Sequence, residues 1–387
     1  MRTVEISYSL ATRRDNAALI RNPLMDLLHA VRDHGSISAA AKALGFSYRH
    51  VWGELKRWEV EVGKPLIVWE KGQPATLSEF GDKLLWAERQ AQARLAPQVE
   101  ALHADLERAF AVAFDDAAHV LPLFASHDDA LPLLREHAAA SARLHLDVRF
   151  CGSVDAIAAL NEGRCVLAGF HAPRLPGGGE FARRAYQPLL KPGLHKLIGF
   201  AQRTQGLIVA AGNPLGLATL ADVAKQQARF VNRALGTGTR VLLDELLAKE
   251  NLRAIDFPGY GHSEPSHEAV AQAIASGAAD VGLGIEAAAR SRGLGFVPLV
   301  REDYYLVCLK SALEQAPVAA LRELLRSASW KRQLAALPGY EPANCGEVLS
   351  LKAQLPWWNM PPKRARKPAQ TAQVRKPTKP SSRSGSA

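Results

Sequence analysis

At three points in the sequence a short apolar run gives way to a helix-like one, and hydroxyl, amide and guanidinium donors gather there. The first run, V-L-P-L-F-A-S-H-D, ends at Ser126, His127 and Asp128. The second, L-H-L-D-V-R-F-C-G-S, ends at Gly152 and Ser153. The third, V-N-R-A-L-G-T-G-T-R, offers the Thr237 and Thr239 hydroxyls, the Gly238 N–H and the Arg240 guanidinium together. Such donors at a helix N-terminus suit an anion or another acceptor-rich ligand, because the first N–H groups lack partners and the helix dipole favours negative charge. Helix capping alone accounts for Ser126 or Ser153, but G-T-G-T-R holds more Gly, Thr and Arg than a cap requires. Arg203 either binds or pairs with an acid, and His171 and His267 are weaker candidates. The chemistry is binding rather than catalysis. No G-x-x-x-x-G-K-[ST], H-E-x-x-H or G-x-S-x-G occurs, and Ser126 and His127, adjacent at a strand end, point opposite ways. No catalytic residue, metal ligand or cofactor is expected.

A second chemistry stands nearer the N-terminus. From Pro23, the apolar residues Leu24, Leu27, Leu28 and Val31 recur at helical spacing, and Gly35 stops the run. Ser36 caps a short Ala-rich helix that ends at Gly45, and another helix follows at once. Its apolar face is Tyr48, Val51, Trp52, Leu55, Trp58 and Val62, with Tyr48 and Trp52 expected in the core. The other face carries Ser47, Arg49, His50, Gly53, Lys56 and Arg57. Two short helices joined by a Gly turn form the motif that lays its second helix in the DNA major groove. The run P-L-I-V-W-E-K-G-Q-P-A-T-L-S then reads as a hairpin, a wing with Lys71 at its turn, where it is either a phosphate contact or a solvated residue. From Ser78, apolar residues spaced by three or four run from Phe80 to Phe110, a seam that calls for a partner helix. Pro97 predicts a kink or two successive helices.

These elements divide the 387 residues into three stretches. Residues 1–115 hold the helical unit and its long helix. Residues 116–345 alternate β-like runs with Ala/Leu helices, the pattern of an α/β domain with a mostly parallel sheet. Residues 346–387, rich in Pro, Lys, Arg, Ser and Gln, are expected to be a disordered tail. The formal net charge is +10, but eight basic residues and no acid lie from Pro361 onward, which leaves 40 Lys+Arg against 38 Asp+Glu elsewhere. The net charge therefore argues nothing about the body of the protein. The tail, by contrast, could add non-specific phosphate affinity. An apolar content of 48% supports real cores. No run is long enough to span a membrane, no apolar signal core opens the chain, and the four scattered cysteines fit reduced thiols, so a cytoplasmic location without membrane contact is expected.

The segment G-S-I-S-A-A-A-K-A-L-G-F-S-Y-R-H-V-W resembles the winged helix-turn-helix of molybdate-responsive (ModE-type) regulators, and LysR-type regulators are similar through the first two helices. That resemblance makes Ser47 to about Val60 the recognition helix. Ser47, Arg49, His50, Lys56 and Arg57 are then the expected DNA contacts, Arg49 at base edges and Lys56 and Arg57 at phosphates. The blocks A-S-H-D, N-E-G-R-C-V-L-A-G-F-H, Q-G-L-I-V-A-A-G-N-P, V-N-R-A-L-G-T-G-T-R and L-G-F-V-P-L-V-R-E-D-Y-Y-L-V resemble a two-lobed (type II) periplasmic-binding-protein domain. That likeness implies strands crossing between lobes near Gly199–Val209 and Phe296–Leu306, with Ser126, His127 and Ser153 on one lobe and Thr237, Gly238, Thr239 and Arg240 on the other. The implied fold is an α+β winged helix-turn-helix with a long dimerisation helix, joined to an α/β two-lobed domain. The implied protein is a homodimeric or larger DNA-binding regulator that reads a pseudo-palindrome and senses a small anion, molybdate, tungstate or a small carboxylate. The alternative is a ligand-binding or molybdenum-cofactor biosynthesis protein that does not bind DNA.

Overall fold

The computed structural model describes residues 22–69, 74–114, 119–176 and 179–359. The wing turn with Lys71 and the basic tail from Pro361 lie outside them. The N-terminal unit is built from caps. Asn22 accepts from the N–H groups of Leu24 and Met25 to open α1 (Pro23–His34), Ser36 opens α2 (Ile37–Leu44), and Ser47 opens α3 (Tyr48–Val62). Gly45 takes φ 72° between α2 and α3, a left-handed conformation that costs a side-chain-bearing residue strain. Leu28, Val31, Ala40, Val51 and Leu55 close a core with Leu66 and Leu85. A two-stranded hairpin, β1 (Ile67–Val68) and β2 (Thr76–Leu77), follows as the wing. Glu59 of α3 ties it down by accepting from the N–H groups of Leu66 and Ile67 at 2.8 and 3.3 Å.

Helix α4 (Glu79–Phe114) runs as one helix through Pro97, so of the two outcomes suggested by that residue the two successive helices do not occur. The remaining chain forms β3 (His119–Ala125), α5 (Ala130–Ala142), β4 (Leu144–Phe150), α6 (Ser153–Asn161), β5 (Leu167–Pro173), α7 (Glu180–Tyr186), β6 (His195–Val209), α8 (Leu220–Lys225), β7 (Phe230–Arg233) and α9 (Gly238–Lys249). It continues through β8 (Ser263–Glu264), α10 (His267–Ala275), β9 (Val281–Ile285), α11 (Glu286–Arg290), β10 (Gly295–Leu309), α12 (Ala316–Arg326), α13 (Ala328–Ala335), β11 (Tyr340–Glu341), β12 (Val348–Leu349) and α14 (Leu351–Gln354).

The sheet order is β4-β3-β5-β10-β6-β9-β7-β8, with β11 and β12 added on β6. Strands β6 and β10 are antiparallel partners 15 residues long. One end of β10 pairs with β5 over residues 302–307, and the far end of β6 pairs with β9 over 205–209. These two strands are therefore shared by two lobes, as the crossing segments implied. Lobe one packs Leu121, Leu131, Phe200, Tyr304 and Trp330; lobe two packs Leu207, Phe230, Leu242, Phe257 and Leu283. No helix among the described residues is long and apolar enough to cross a membrane.

The start of the tail at residue 346 is corrected. Val348 and Leu349 pair with β6, and Leu351, Leu355 and Trp357 are buried in a cluster with Phe170 and Tyr186. Composition misled because a few large side chains anchor a segment that is otherwise polar and Pro-rich. Burying a Trp and two Leu offsets part of the cost of ordering the stretch, and the pairing of Val348 and Leu349 with β6 adds to it.

Candidate functional site

The exposed face of α3 carries the expected DNA contacts. Ser47, Arg49, His50, Lys56 and Arg57 are all exposed. Their partners differ. The Ser47 hydroxyl is the helix cap and accepts from the His50 N–H at 3.1 Å. Lys56 pairs with Glu59 at 2.6 Å and lies over Trp52, while Arg57 pairs with both Glu54 and Glu61. No such pair involves Arg49 among the described residues, so it presents its charge openly. The core placement of Tyr48 is corrected: it is 52% exposed and stacks on the half-buried Trp52, which itself meets Trp69 of the wing edge-on. Val51 and Leu55 are the fully buried side chains of α3, with Trp52, Trp58 and Val62 packed partly against the same core, and the first helical turn leaves Tyr48 outside it.

The candidate ligand-contacting loops come together where the lobes meet. Ser126 and His127 follow β3, Ser153 opens α6, and all three are buried. The Ser153 hydroxyl lies 3.5 Å from that of Ser126. Opposite them, the G-T-G-T loop opens α9. A Cβ on Gly238 would stand 3.2 Å from the His171 Cβ and 3.5 Å from the Ser153 Oγ, so the two lobes approach closely here and a side chain would press His171 back by a few tenths of an ångström. Thr239 is buried and accepts from Gln205 Nε2 at 3.0 Å. Thr237 is spent locally: it caps α9 and donates to the Ala234 carbonyl.

Two candidate arginines already have partners within the protein, and for Arg203 this is the acid pairing that the sequence left open beside binding. Arg203 is buried between Asp128 and Glu302, with Nε donating to Glu302 at 2.6 Å and Nη1 pairing with Asp128. Tyr340 also donates to Asp128, at 2.9 Å. Arg203 thus meets two carboxylates and has no charge left for a ligand; the proximity of acids on β10 and after β3 is a tertiary fact that spacing does not show. Arg240 lies over the Tyr260 ring, 4.3 Å from its centroid, and meets Asp244 one helical turn on.

The cation that sequence reasoning missed is Arg233, the last residue of β7. It is 1% exposed and donates from Nη2 to the Pro265 carbonyl at 3.0 Å. Its Nε and Nη1 have no hydrogen-bond partner, and no salt bridge reaches it among the described residues. Burial, then the charge of Arg203, pushes its pKa down to about 9. His267, which opens α10, is held well below its ordinary value by burial and then by Arg233 and Arg203. His171 is lowered by burial and by Arg203. His171 and His267, the weaker candidates, thus join the cleft, and the Tyr304 hydroxyl beside His171 and the Gln205 Oε1 are also unpartnered. Buried donors without acceptors are costly, and a cluster around an unbalanced guanidinium is complementary to an anion. The strand-end position of Arg233, three residues before a Gly/Thr loop, was the available signal. No group of three metal-ligating side chains occurs among the described residues.

Comparison with known proteins agrees with this architecture. Residues 24–82 match the bacterial regulatory helix-turn-helix proteins of the lysR family, and residues 134–326 match the PBP superfamily domain. Bacillus subtilis (strain 168) YvgK, an uncharacterised protein, is 32% identical over 201 residues, 52% of this chain and 64% of YvgK. An uncharacterised Clostridium pasteurianum protein from the 5' region of a 2Fe-2S ferredoxin gene is 30% identical over 111 residues, 28% of this chain and 98% of that protein. Among solved structures, full-length BenM is similar at 16% identity with a TM-score of 0.40, covering 78% of this chain and 94% of BenM. ArgP from Mycobacterium tuberculosis is similar at 22% identity with a TM-score of 0.38, covering 79% and 96%. The chain thus joins a helix-turn-helix segment that matches the lysR family to a segment that matches the PBP superfamily domain. It shares a family with the Clostridium pasteurianum protein.

Proposed function

We propose that this protein is a one-component transcription regulator whose effector is a small anion held between the two lobes. DNA binding runs through α3, with Arg49 at base edges, Ser47 and His50 beside it, and Lys56, Arg57 and Lys71 on phosphates. The protein works as a homodimer on a pseudo-palindrome, and α4 supplies the pairing surface: Leu102 and Phe110 are 45% and 48% exposed on it. The effector contacts are Ser126, His127, Ser153, Gly238 and Thr239, joined by Arg233, His171 and His267. Arg203 orders the cleft floor, while Thr237 and Arg240 frame the α9 N-terminus. Molybdate or tungstate is the first choice of effector and a small carboxylate the second.

The observation that carries this reading is Arg233, a buried guanidinium whose Nε and Nη1 have no hydrogen-bond partner and which forms no salt bridge among the described residues, Asp128 and Asp129 acting on it only from beyond ion-pair distance. A ligand that brings the missing negative charge also brings acceptors for its Nε and Nη1. The test is a thermal-shift panel of molybdate, tungstate, sulfate, phosphate and acetate on the full chain, with Arg233→Met beside it. A selective rise in Tm that Arg233→Met abolishes supports the reading. No rise with any anion, or a rise that survives the substitution, overturns it. A mobility shift on DNA flanking the gene, with and without the stabilising anion, tests the regulator itself.

A further inference from the structure

A second polar cavity, of about 300 Å³, lies where the DNA-binding unit meets lobe two. His29 of α1 and Trp86 and Arg89 of α4 form one side; Gln272 of α10 and Arg292, just after α11, form the other. Nothing in the family matches or in the cleft assigns it a role.

Its charge is poorly balanced. Arg89 donates from Nε to His29 Nε2 at 3.3 Å, and no carboxylate stands within ion-pair distance of it among the described residues. The His29 pKa is lowered there, first by burial and then by the Arg89 charge, against Asp33 and Asp26. Arg32 lies 4.2 Å from the Trp86 ring centroid, and Asp82 reaches it only at 4.0 Å. Arg292 meets Glu268 at 3.7 Å, with its Nε buried and unpartnered. Burial, then Arg32, lowers the Arg89 pKa; Asp33 opposes the shift and Arg292 adds to it, so the three guanidinium groups feel one another.

The independent observation is Gln272. It is wholly buried, lines the cavity, and neither its Nε2 nor its Oε1 has a hydrogen-bond partner. Leaving both ends of a buried amide unmade costs about 1–3 kcal/mol for each group, so such a side chain in a cavity wall marks a place for a polar ligand. With a small shift of the Gln272 and Arg292 side chains toward the cavity, acceptor oxygens would satisfy Gln272 Nε2, Arg292 Nε and Arg89 together, and a ligand hydroxyl would satisfy Gln272 Oε1.

We propose that this cavity binds a small organic polyanion, one carrying two or more anionic oxygens and a hydroxyl, which clamps the DNA-binding unit to lobe two. The cavity is larger than a single inorganic oxyanion needs. The shared chemistry admits a hydroxylated tricarboxylate or a sugar phosphate. Helix α10 connects the two sites, since His267 at its start is buried within electrostatic reach of Arg233 and His171, and Gln272 lines this cavity.

The experiment is calorimetric titration and thermal unfolding of the full chain with citrate and with glucose 6-phosphate, and with sulfate as the size control. One of the two organic anions should bind one per chain and raise Tm, with sulfate at least tenfold weaker; which one binds distinguishes the sources. Gln272→Leu, which keeps the volume, and Arg292→Met should each weaken that binding at least tenfold, while Arg233→Met in the effector cleft leaves it unchanged. Unfolding of each variant without ligand verifies its fold. Failure of both organic anions to bind, binding that survives both substitutions, or binding lost in Arg233→Met would overturn the proposal. The last result would place the anion in the cleft instead. This inference does not depend on the effector reading: the Arg233 and Gln272 variants separate the two.

Discussion

Glu100, midway along the long helix, places its carboxylate 3.4 Å from Nε2 of His127, the residue after Ser126 at the mouth of the cleft. The contact is part of a wider attachment. Toward its start, α4 is held to lobe two by Arg94 and Gln90 on Glu264, with Ser266 donating to the Ala93 carbonyl. Further on it is held to lobe one by Arg135 donating to the Glu100 carbonyl and by Arg108 pairing with Asp147. One continuous helix thus fastens to both lobes. Any change in the angle between the lobes must load one of these attachments, and the same helix packs against α1 and carries the core residue Leu85 of the DNA-binding unit.

The Glu100–His127 contact should make stability depend on pH in a defined direction. Burial works to lower the His127 pKa, but the Glu100 carboxylate overrides it and the net shift is upward. A histidine raised above its unfolded value of about 6.5 contributes stability fully below that pH, and loses it as pH rises through the folded value. Glu100→Gln should therefore lower stability by about 1–2 kcal/mol at pH 6 and by much less at pH 8.5. Urea unfolding of both proteins at the two pH values measures the difference; an equal loss at both would show that His127 does not titrate against Glu100.

Arg203 and Arg233 should respond oppositely to the same substitution. Arg203→Met strands Asp128 and Glu302 as buried carboxylates without their cation, a loss of about 3–5 kcal/mol. Arg233→Met removes a buried charge that no salt bridge compensates among the described residues, so the ligand-free protein should become more stable. Denaturation midpoints decide this: destabilisation by Arg233→Met without ligand would mean that its charge is already compensated.

Much of this arrangement was legible in the sequence, and for identifiable reasons. Asn22, Ser36 and Ser47 cap helices, and Gly35 and Gly45 end them, through contacts made within a few residues. The Gly/Thr loop before α9 likewise announces itself locally. What sequence could not show is pairing across the fold. Whether Arg203 or Arg233 has a carboxylate depends on Asp128 and Glu302, which lie 75 and 99 positions from Arg203. Likewise, the exposure of Tyr48 depends on how far Val51 and Leu55 already fill the core beneath it.

On DNA, ion pairing within α3 separates the basic residues. Arg49→Ala should weaken specific binding by about tenfold or more and relax sequence choice, because an open guanidinium at the helix start is free for base edges. Arg57→Ala should change the slope of log affinity against log salt by less than one full phosphate contact, since Glu54 and Glu61 already hold its charge. Mobility shifts across a salt series give both quantities. A unit change in slope for Arg57→Ala would mean that the helix releases it on binding.

Two truncations should behave differently. A chain ending at Asn359 removes only residues outside the described fold and keeps Leu351, Leu355 and Trp357 in place. Its unfolding midpoint should match that of the full chain, while the loss of eight basic residues reduces the salt dependence of DNA binding. A chain ending at Cys345 removes the β12 pairing to β6 and exposes the cluster of Phe170, Tyr186 and Leu197 that Trp357 covers. Loss of a buried tryptophan alone costs about 3–5 kcal/mol, a large fraction of a typical domain's stability. That shorter chain should melt well below the full chain or fail to fold. If it melts with the full chain, residues 346–359 belong to the tail after all, and the domain ends where its composition changes.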